Sequence, residues 1–503
     1  MTAQNMMFYK NIGKNTALIL LAAALEILSF PPFNYYWLSF VFAVPLFIFL
    51  HRERRLVYLL IGFFVYRILV ALGIVYFVFD PIMFFALALI FLGLPLSFYF
   101  IGKLRKELAF PSLLALWPFW EQLEAYYTAL PNFIMVIGNA LGQSPFLGLA
   151  SFGGLTTLTV FAISINLLIF SAFYYWRDKK QLSIFIIGLF FVLLSGWQAS
   201  RFFLEENKNN YFSRQNIKKI ALISDNGYLD EIFKNQNLDP IQLTQAIDDA
   251  LTPVLFELMS KEIDIVVLPE AMIDVDFDQS VNERAFSRFK IANNGILVAK
   301  YGELAAKLNK SLVAGITSIQ EGKRYNTLLF FDGNGELIDI FNKKFLTITG
   351  EYWPFGDWRP FYFNWILKLG SKEVERYKNY AIFDQSKSFS PGETKSVRLG
   401  NLIIAPVICL EIHYPAEIKR RLGAEGNLIL NTSSNMWISA GSKQYLDLTN
   451  NLRRIESVWL RSPITVNGRR EPSGLITPDG KIISSDFETK DKNYNIFIVD
   501  VRI

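Results

Sequence analysis

A chain of 503 residues that is 52% hydrophobic, 16% aromatic and only 19% charged is too apolar for an ordinary soluble enzyme, and its mean hydropathy of +0.27 implies that part of it lives in lipid. The net charge of +5 is modest and comes with no basic block interleaved with aromatics, so nucleic acid is not an expected partner. A single cysteine, Cys409, excludes an intrachain disulfide framework and a cysteine zinc site, and the two histidines, His51 and His413, are too far apart to suggest a histidine-rich metal centre.

The apolar content is concentrated before about residue 200. Candidate spans are 15–31, 36–50, 57–79, 82–101, 111–129, 154–176 and 182–198. Several reach the ~20 residues needed to cross ~30 Å of hydrocarbon. The stretch 36–50 is short, and 111–129 carries Glu121 and Glu124. Lys10 and Lys14 precede the first span; Arg52, Arg54 and Arg55 follow the second; Lys103, Arg105 and Lys106 follow the fourth; Arg177, Lys179 and Lys180 follow the sixth. The alternate loops hold no lysine or arginine, so the positive-inside rule puts the N-terminus in the cytoplasm. Seven spans then place everything after Trp197 outside. Tyr35, Tyr36, Trp37, Tyr174, Tyr175 and Trp176 sit where an interfacial aromatic belt belongs. Glu26, Arg67, Glu121 and Glu124 are costly in lipid and are expected to pair within the bundle. The glycines between Gly138 and Gly154 suggest irregular backbone or close helix packing.

After about residue 200 the texture changes, which divides the chain into a multi-span domain over 1–200 and a second domain over 201–503. Short apolar runs predict strands at Lys218–Ser224, Ile263–Pro269, Ser311–Thr317, Thr327–Phe331, Ile403–Cys409, Asn427–Asn431, Ser462–Val466 and Ile496–Val499. Helical patterns cover 240–261, 285–309 and 442–460. Asp332-Gly-Asn-Gly335 and Thr477-Pro-Asp-Gly480 are hairpin signals. Strands alternating with helices indicate a layered α/β domain. The stretch 352–390, with Tyr352, Trp353, Phe355, Trp358, Phe361, Tyr362, Phe363 and Trp365, fits a lid or membrane-dipping loop and equally a hydrophobic cluster packed on the domain.

Three strand ends carry chemistry. Val267-Leu268-Pro269-Glu270 puts a carboxylate after an apolar strand, Phe341-Asn342-Lys343-Lys344 puts ammonium groups after a hairpin strand, and Ala405-Pro406-Val407-Ile408-Cys409 ends on the lone thiol. A buried free cysteine is most often a small hydrophobe. A cysteine nucleophile, by contrast, needs a base to make thiolate, and an acyl-transfer intermediate needs a cation or N–H donors at its oxyanion. Glu, Lys and Cys supply those parts if their strand ends converge.

These contexts resemble the Glu-Lys-Cys triad of the nitrilase superfamily. With a multi-span domain in front, the chain is similar to the apolipoprotein N-acyltransferases. Phe30-Pro-Pro-Phe33 with Trp37 and Pro45 resembles the family's first outer turn, and Trp117 with Glu121 its Trp…Glu helix. The spacing from Lys343 to Gly350-Glu351, the Ser390-Pro391-Gly392 loop, and Asn435 with Trp437 resemble the family pattern as well. The resemblance implies an α-helical transmembrane bundle followed by an αββα sandwich. It implies Cys409 as nucleophile, Glu270 as general base and Lys343 as oxyanion stabiliser. Glu351 would orient the lysine or support acid/base steps, and Glu411 would support the site near the thiol. Asn435, Trp437 and Trp353 would face substrate.

The implied reaction is ping-pong. A phospholipid, typically phosphatidylethanolamine, acylates the thiol, and the α-amine of a lipoprotein's diacylglyceryl-cysteine then takes the acyl group. No cofactor or metal is implied, and the location is the bacterial cytoplasmic membrane with the catalytic domain on the periplasmic side. Two other readings stay open: a membrane-tethered amidase or N-acyltransferase acting on another amine, and a non-catalytic lipid-binding homologue.

Overall fold

The structure is a computed structural model that describes residues 3–75, 81–127, 133–225, 240–270, 295–348, 350–353, 358, 388–434, 443–469, 471–484, 489–490 and 494–503. The chain forms two compact units. One comprises Met1–Asn210, Ile438–Arg461 and Pro478–Lys481; the other comprises Tyr211–Trp437, Ser462–Thr477 and Ile482–Ile503.

The first unit is the α-helical transmembrane bundle. Its helices are α1 (Ala3–Ser29), α2 (Ala43–Arg52), α3 (Leu56–Ile74), α4 (Pro81–Phe91), α5 (Gly93–Leu104), α6 (Leu113–Tyr127), α7 (Ala150–Tyr174) and α8 (Lys179–Phe212). Five stretches, Ile12–Ser29, Leu56–Ile74, Phe84–Leu104, Leu147–Tyr174 and Lys179–Phe212, are long and apolar enough to cross a membrane. The stretches expected at 36–50 and 111–129 form shorter helices, the apolar Tyr36–Arg52 and the Pro118-containing α6. Apolar residues surround these helices rather than forming one stripe, and Ile184, Ile187, Phe190 and Phe191 of α8 stand exposed, as suits a lipid-facing surface.

The charges at Glu26, Arg67, Glu121 and Glu124 turn inward. The Arg67 guanidinium forks onto Glu124 at 2.8 and 2.7 Å, and its Nη1 lies 3.6 Å from Glu26 Oε1. Tyr66 donates its hydroxyl to Glu26. Glu121 accepts the Ile137 N–H at 3.3 Å. All four of Glu26, Arg67, Glu121 and Glu124 are buried, and Glu26, Arg67 and Glu124 tie α1, α3 and α6 together in the pairing expected of charges in hydrocarbon.

The glycine-rich segment Ile137–Gln143 is a 3₁₀ turn against the helix Lys443–Leu460, which belongs to this same unit. Asn139 donates to the Leu448 carbonyl at 3.1 Å, and Gln143 donates to Asn451 Oδ1 at 2.9 Å. A Cβ at Gly142 would lie 2.7 Å from the Asn451 Cβ, so only glycine admits this approach. Gly154, at φ +61°, breaks the regular course of α7 and lets the backbone close on the Trp459 ring.

The second unit carries two sheets. The first has β1 (Ile217–Asp225), β2 (Ile265–Val267), β3 (Ser311–Gln320), β4 (Lys323–Phe331) and β5 (Leu337–Asn342). The second has β6 (Val397–Leu399), β7 (Leu402–Ile408), β8 (Leu428–Ser434), β9 (Ile464–Arg469), β10 (Glu471–Ile476) and β11 (Ile482–Ile483). The chain then returns to the first sheet through β12 (Thr489–Lys490) and β13 (Tyr494–Arg502). The orders are β12-β13-β1-β2-β3-β4-β5 and β11-β10-β9-β8-β7-β6.

Each sheet has a parallel centre, β1-β2-β3 in one and β7-β8-β9 in the other, flanked by antiparallel strands. The near-continuous apolar runs of β2 and β7 suit strands covered on both faces. The helices Pro240–Met259 and Gly295–Leu308 bury Val254, Leu258, Val298 and Tyr301 against Val266, Leu312 and Ala314. The sheets are tied to each other by Ser224 Oγ donating to the Gly468 carbonyl at 2.7 Å and Asn467 Nδ2 donating to the Val267 carbonyl at 2.8 Å. This is the two-sheet nitrilase-like architecture. Both predicted hairpin turns join antiparallel strands, with Gly335 at φ +85° and Gly480 at φ +75°.

Candidate active site

Each of the three chemical residues follows the end of a strand. Glu270 comes three residues after β2, Lys343 directly after β5, and Cys409 directly after β7. Parallel strands present their carboxyl ends at one edge, where the chain can leave the sheet and expose side chains without breaking the ladder.

The carboxylates and the lysine form a closed group. Lys343 Nζ lies 2.8 Å from Glu351 Oε2 and 4.0 Å from Glu270 Oε1. Asn326, inside β4, donates its amide to Glu270 Oε1 at 2.6 Å and to Glu351 Oε1 at 2.8 Å. One amide therefore sets the separation of two carboxylates that would otherwise repel. Glu351 Oε2 also accepts the Thr347 N–H at 2.8 Å, and the Lys343 backbone is fixed to the Asn326 carbonyl at 2.8 Å. Among the described residues, Glu270 Oε2 is buried without a hydrogen bond, leaving one carboxylate oxygen uncommitted.

Burial dominates the protonation of the group. It pushes the Glu270 carboxyl up to about 7, against the pull of Lys343. It pushes the Cys409 thiol up to about 12; Glu270 adds to this and Lys343 opposes it. Burial would lower Lys343, but Glu351, Cys409 and Glu270 overcome that and hold its ammonium above the ordinary lysine range. Glu351, although buried, is held below the usual carboxylate range by the charge and hydrogen bond of Lys343. The cluster thus contains a fixed ion pair, Lys343–Glu351, beside a carboxyl poised near neutrality and a neutral thiol. Cys409 feels the charges of Glu270, Lys343 and Glu351 together.

Cys409 itself has φ +50°, a left-handed backbone that a non-glycine residue adopts at some cost. The strand ends here in an abrupt 3₁₀ turn, Cys409–His413, in which the thiol is buried. Glu411, two residues on, reaches back to accept the Ile408 N–H at 2.9 Å, and it also accepts the Lys344 N–H at 2.9 Å. Its role is to join the thiol turn to the lysine segment.

Trp353 is nearly buried, parallel to the Trp358 ring at 6.3 Å, and donates to the Trp358 carbonyl at 2.9 Å. Asn435 and Trp437 lie outside the described residues, as do Phe355, Phe361, Tyr362, Phe363 and Trp365. Asn326 and Arg421 were not singled out from sequence. The signal for Asn326 is a carboxamide inside a strand, just before the apolar run Leu328–Phe331, where asparagine is disfavoured without a partner. Among the described residues no group of histidine, cysteine, aspartate and glutamate is arranged to hold a metal ion.

Comparison with known proteins identifies the family. The domain model described as carbon-nitrogen hydrolase matches residues 215–501, more than half of the chain. The chain belongs to the carbon-nitrogen hydrolase family. In front of the carbon-nitrogen hydrolase part, residues 22–168 match the apolipoprotein N-acyltransferase N-terminal domain. The apolipoprotein N-acyltransferase of Pseudomonas aeruginosa is 25% identical over 379 residues, 73% of this chain and 64% of that protein. The apolipoprotein N-acyltransferase of Aquifex aeolicus is 26% identical over 421 residues, 80% of this chain and 85% of that protein. The chain therefore spans just under two thirds of the first relative's length and most of the second's. Among solved structures, a CN-hydrolase superfamily protein from Xanthomonas campestris aligns at 16% identity over 57% of this chain and 91% of its own, with a TM-score of 0.37. The resemblance read from the sequence is thus borne out at the level of family.

Proposed function

We propose that this protein is an integral-membrane N-acyltransferase that moves an acyl chain from a phospholipid, through a thioester on Cys409, to the α-amine of a lipoprotein's diacylglyceryl-cysteine. The single observation that carries the reading is the cluster of Glu270, Lys343 and Glu351, linked through Asn326, acting electrostatically on the lone thiol at a left-handed turn. A thiol pushed up to about 12 is almost wholly protonated at neutral pH, so attack needs a base at hand. Glu270, with a free oxygen and a carboxyl near neutrality, fits that role.

Glu270 takes the Cys409 proton as sulfur bonds to the ester carbonyl carbon of the donor lipid. The oxyanion that forms is stabilised by the Lys343 ammonium, which Glu351 holds in place. Collapse of the intermediate breaks the carbon–oxygen ester bond, and the alkoxide leaves with the proton from Glu270 as a lysophospholipid. The acceptor amine then attacks the thioester carbonyl and passes a proton to Glu270. The second oxyanion collapses with loss of the thiolate, which recovers that proton, and an N-acyl amide departs. Phosphatidylethanolamine is the donor we infer. In our reading the bundle lies in the bacterial cytoplasmic membrane with its N-terminus inside and the second unit on the outer side, where both lipid-anchored substrates reside.

The test is incubation of the protein with acyl-labelled phosphatidylethanolamine. Wild type is expected to carry a hydroxylamine-sensitive label on Cys409, and Cys409→Ala is expected to carry none. An equal label on both variants would remove the thioester mechanism. Lipoproteins that remain fully N-acylated in a depleted strain lacking any other such enzyme would show that the acceptor is a different amine.

A further inference from the structure

We propose that Arg421 is a positioning residue that holds the thiol turn and the lysine segment in register, and so sets the distance between the Lys343 ammonium and Cys409. The proposal rests on the reading of Lys343 and Cys409 as the reacting pair. Arg421 lies in the short helix Pro415–Leu422 and is 2% exposed. Its Nη2 donates to Glu411 Oε1 at 2.7 Å, and its Nη1 donates to Glu411 Oε2 at 3.0 Å and to the Pro406 carbonyl at 2.6 Å. Its Nε reaches Glu417 Oε1 at 3.4 Å, and its guanidinium carbon stands 4.8 Å from the centre of the Phe341 ring.

These contacts gather the segments on which the chemistry depends. Pro406 lies in β7, three residues before Cys409, and Glu411 lies two residues after it. Phe341 lies in β5, two residues before Lys343. Glu411 Oε1, the oxygen that Arg421 grips, also accepts the N–H groups of Lys344 at 2.9 Å and Phe345 at 3.3 Å. Its Oε2 accepts the Ile408 N–H at 2.9 Å. Both oxygens of Glu411 are thereby committed to a joint between the two segments, and the planar guanidinium fixes the carboxylate plane at that joint.

A second clasp joins the same segments. The ring of Phe345, two residues past Lys343, stacks on Tyr414, five residues past Cys409, at 3.9 Å and 14°. Lys344 Nζ meets Glu417 at 3.3 Å, so Glu417 also serves both sides. The charged groups facing Arg421 are Glu411 and Glu417, and those acting on Cys409 are Glu270, Lys343 and Glu351. Without the guanidinium, Glu411 loses the fork that orients it. The lysine segment then draws back and carries the ammonium away from the sulfur.

Because Cys409 is the chain's lone thiol, its alkylation reports on this site alone. The experiment compares the rates at which iodoacetate and iodoacetamide alkylate the full chain in detergent micelles, for wild type, Arg421→Met and Arg421→Lys. The two reagents are close in size, so their rate ratio cancels changes in access and reads the electrostatic pull of Lys343 on the anionic one. The ratio is expected to fall about threefold or more in Arg421→Met and by less in Arg421→Lys, whose ammonium reaches one Glu411 oxygen but cannot fork. An unchanged or increased ratio in folded Arg421→Met overturns the proposal. If that variant does not fold, an unchanged ratio in Arg421→Lys does so. Alkylation needs no acyl donor, so failure of the acyl-transfer reading in the labelling experiment remains a separate result.

Discussion

At Glu270 and Cys409, burial raises both acids, and the carboxyl remains the one that ionises near neutral pH. The carboxyl comes to about 7 and the thiol to about 12. Ionised Glu270 is the form that accepts a proton, so thioester formation should rise with pH as this carboxyl loses its proton near 7 and level off above. Single-turnover acylation from labelled phospholipid at a series of pH values measures this, and a flat profile between about pH 6 and 8 would contradict it. The Asn326 hydrogen bond stabilises the ionised form, so Asn326→Leu should move the midpoint upward and slow acylation below it. Glu270, Lys343 and Cys409 were legible as candidates because each terminates an apolar run. Asn326 and Arg421 were not, since nothing in Tyr325-Asn326-Thr327 or Lys419-Arg420-Arg421 says which distant carboxylates they meet.

Among the elements, strands that alternate poorly and bury both faces were the easiest to read. Ile265-Val-Val267 and the run ending at Ile408 declare themselves by continuous β-branched and aliphatic residues. The two-residue β11 and β12 and the strand β10 carry no such run and are not among the predicted strands, and only the start of β9 is, within Ser462–Val466; the register between Glu471 and Gly474 shifts locally, which breaks the period that a sequence pattern relies on. The helix pattern at 442–460 was correct, yet its amphipathic face did not disclose its neighbour. That neighbour is the turn at Ile137–Gln143, and it leaves no room at Gly142 for a Cβ, which would come within 3.0 Å of the Asn451 backbone. Gly142→Ala should therefore destabilise the first unit by about 1–3 kcal/mol. A thermal melt in detergent checks this, and an unchanged midpoint would show that the turn yields without cost.

Over the whole molecule, the chain passes between its two units at 210/211, 437/438, 461/462, 477/478 and 481/482. Sequence texture alone suggested a single change near residue 200, because the helix Lys443–Leu460 looks like any amphipathic helix of an α/β domain. Its Leu448, Leu452, Ile455 and Val458 are buried. Residues 211–503 made without the bundle should expose that face and aggregate. Size-exclusion chromatography of the fragment tests this, and a monodisperse monomer would show that the helix finds shelter elsewhere. The same weaving orders events during synthesis. The helices α1 to α8 leave the ribosome well before residue 443, so the bundle meets the membrane while two of its own pieces, the helix Lys443–Leu460 and the turn at Pro478–Lys481, have not yet been translated. What is made last completes what was inserted first, and a nascent chain stalled before residue 443 holds an unfinished bundle however well its spans have been inserted.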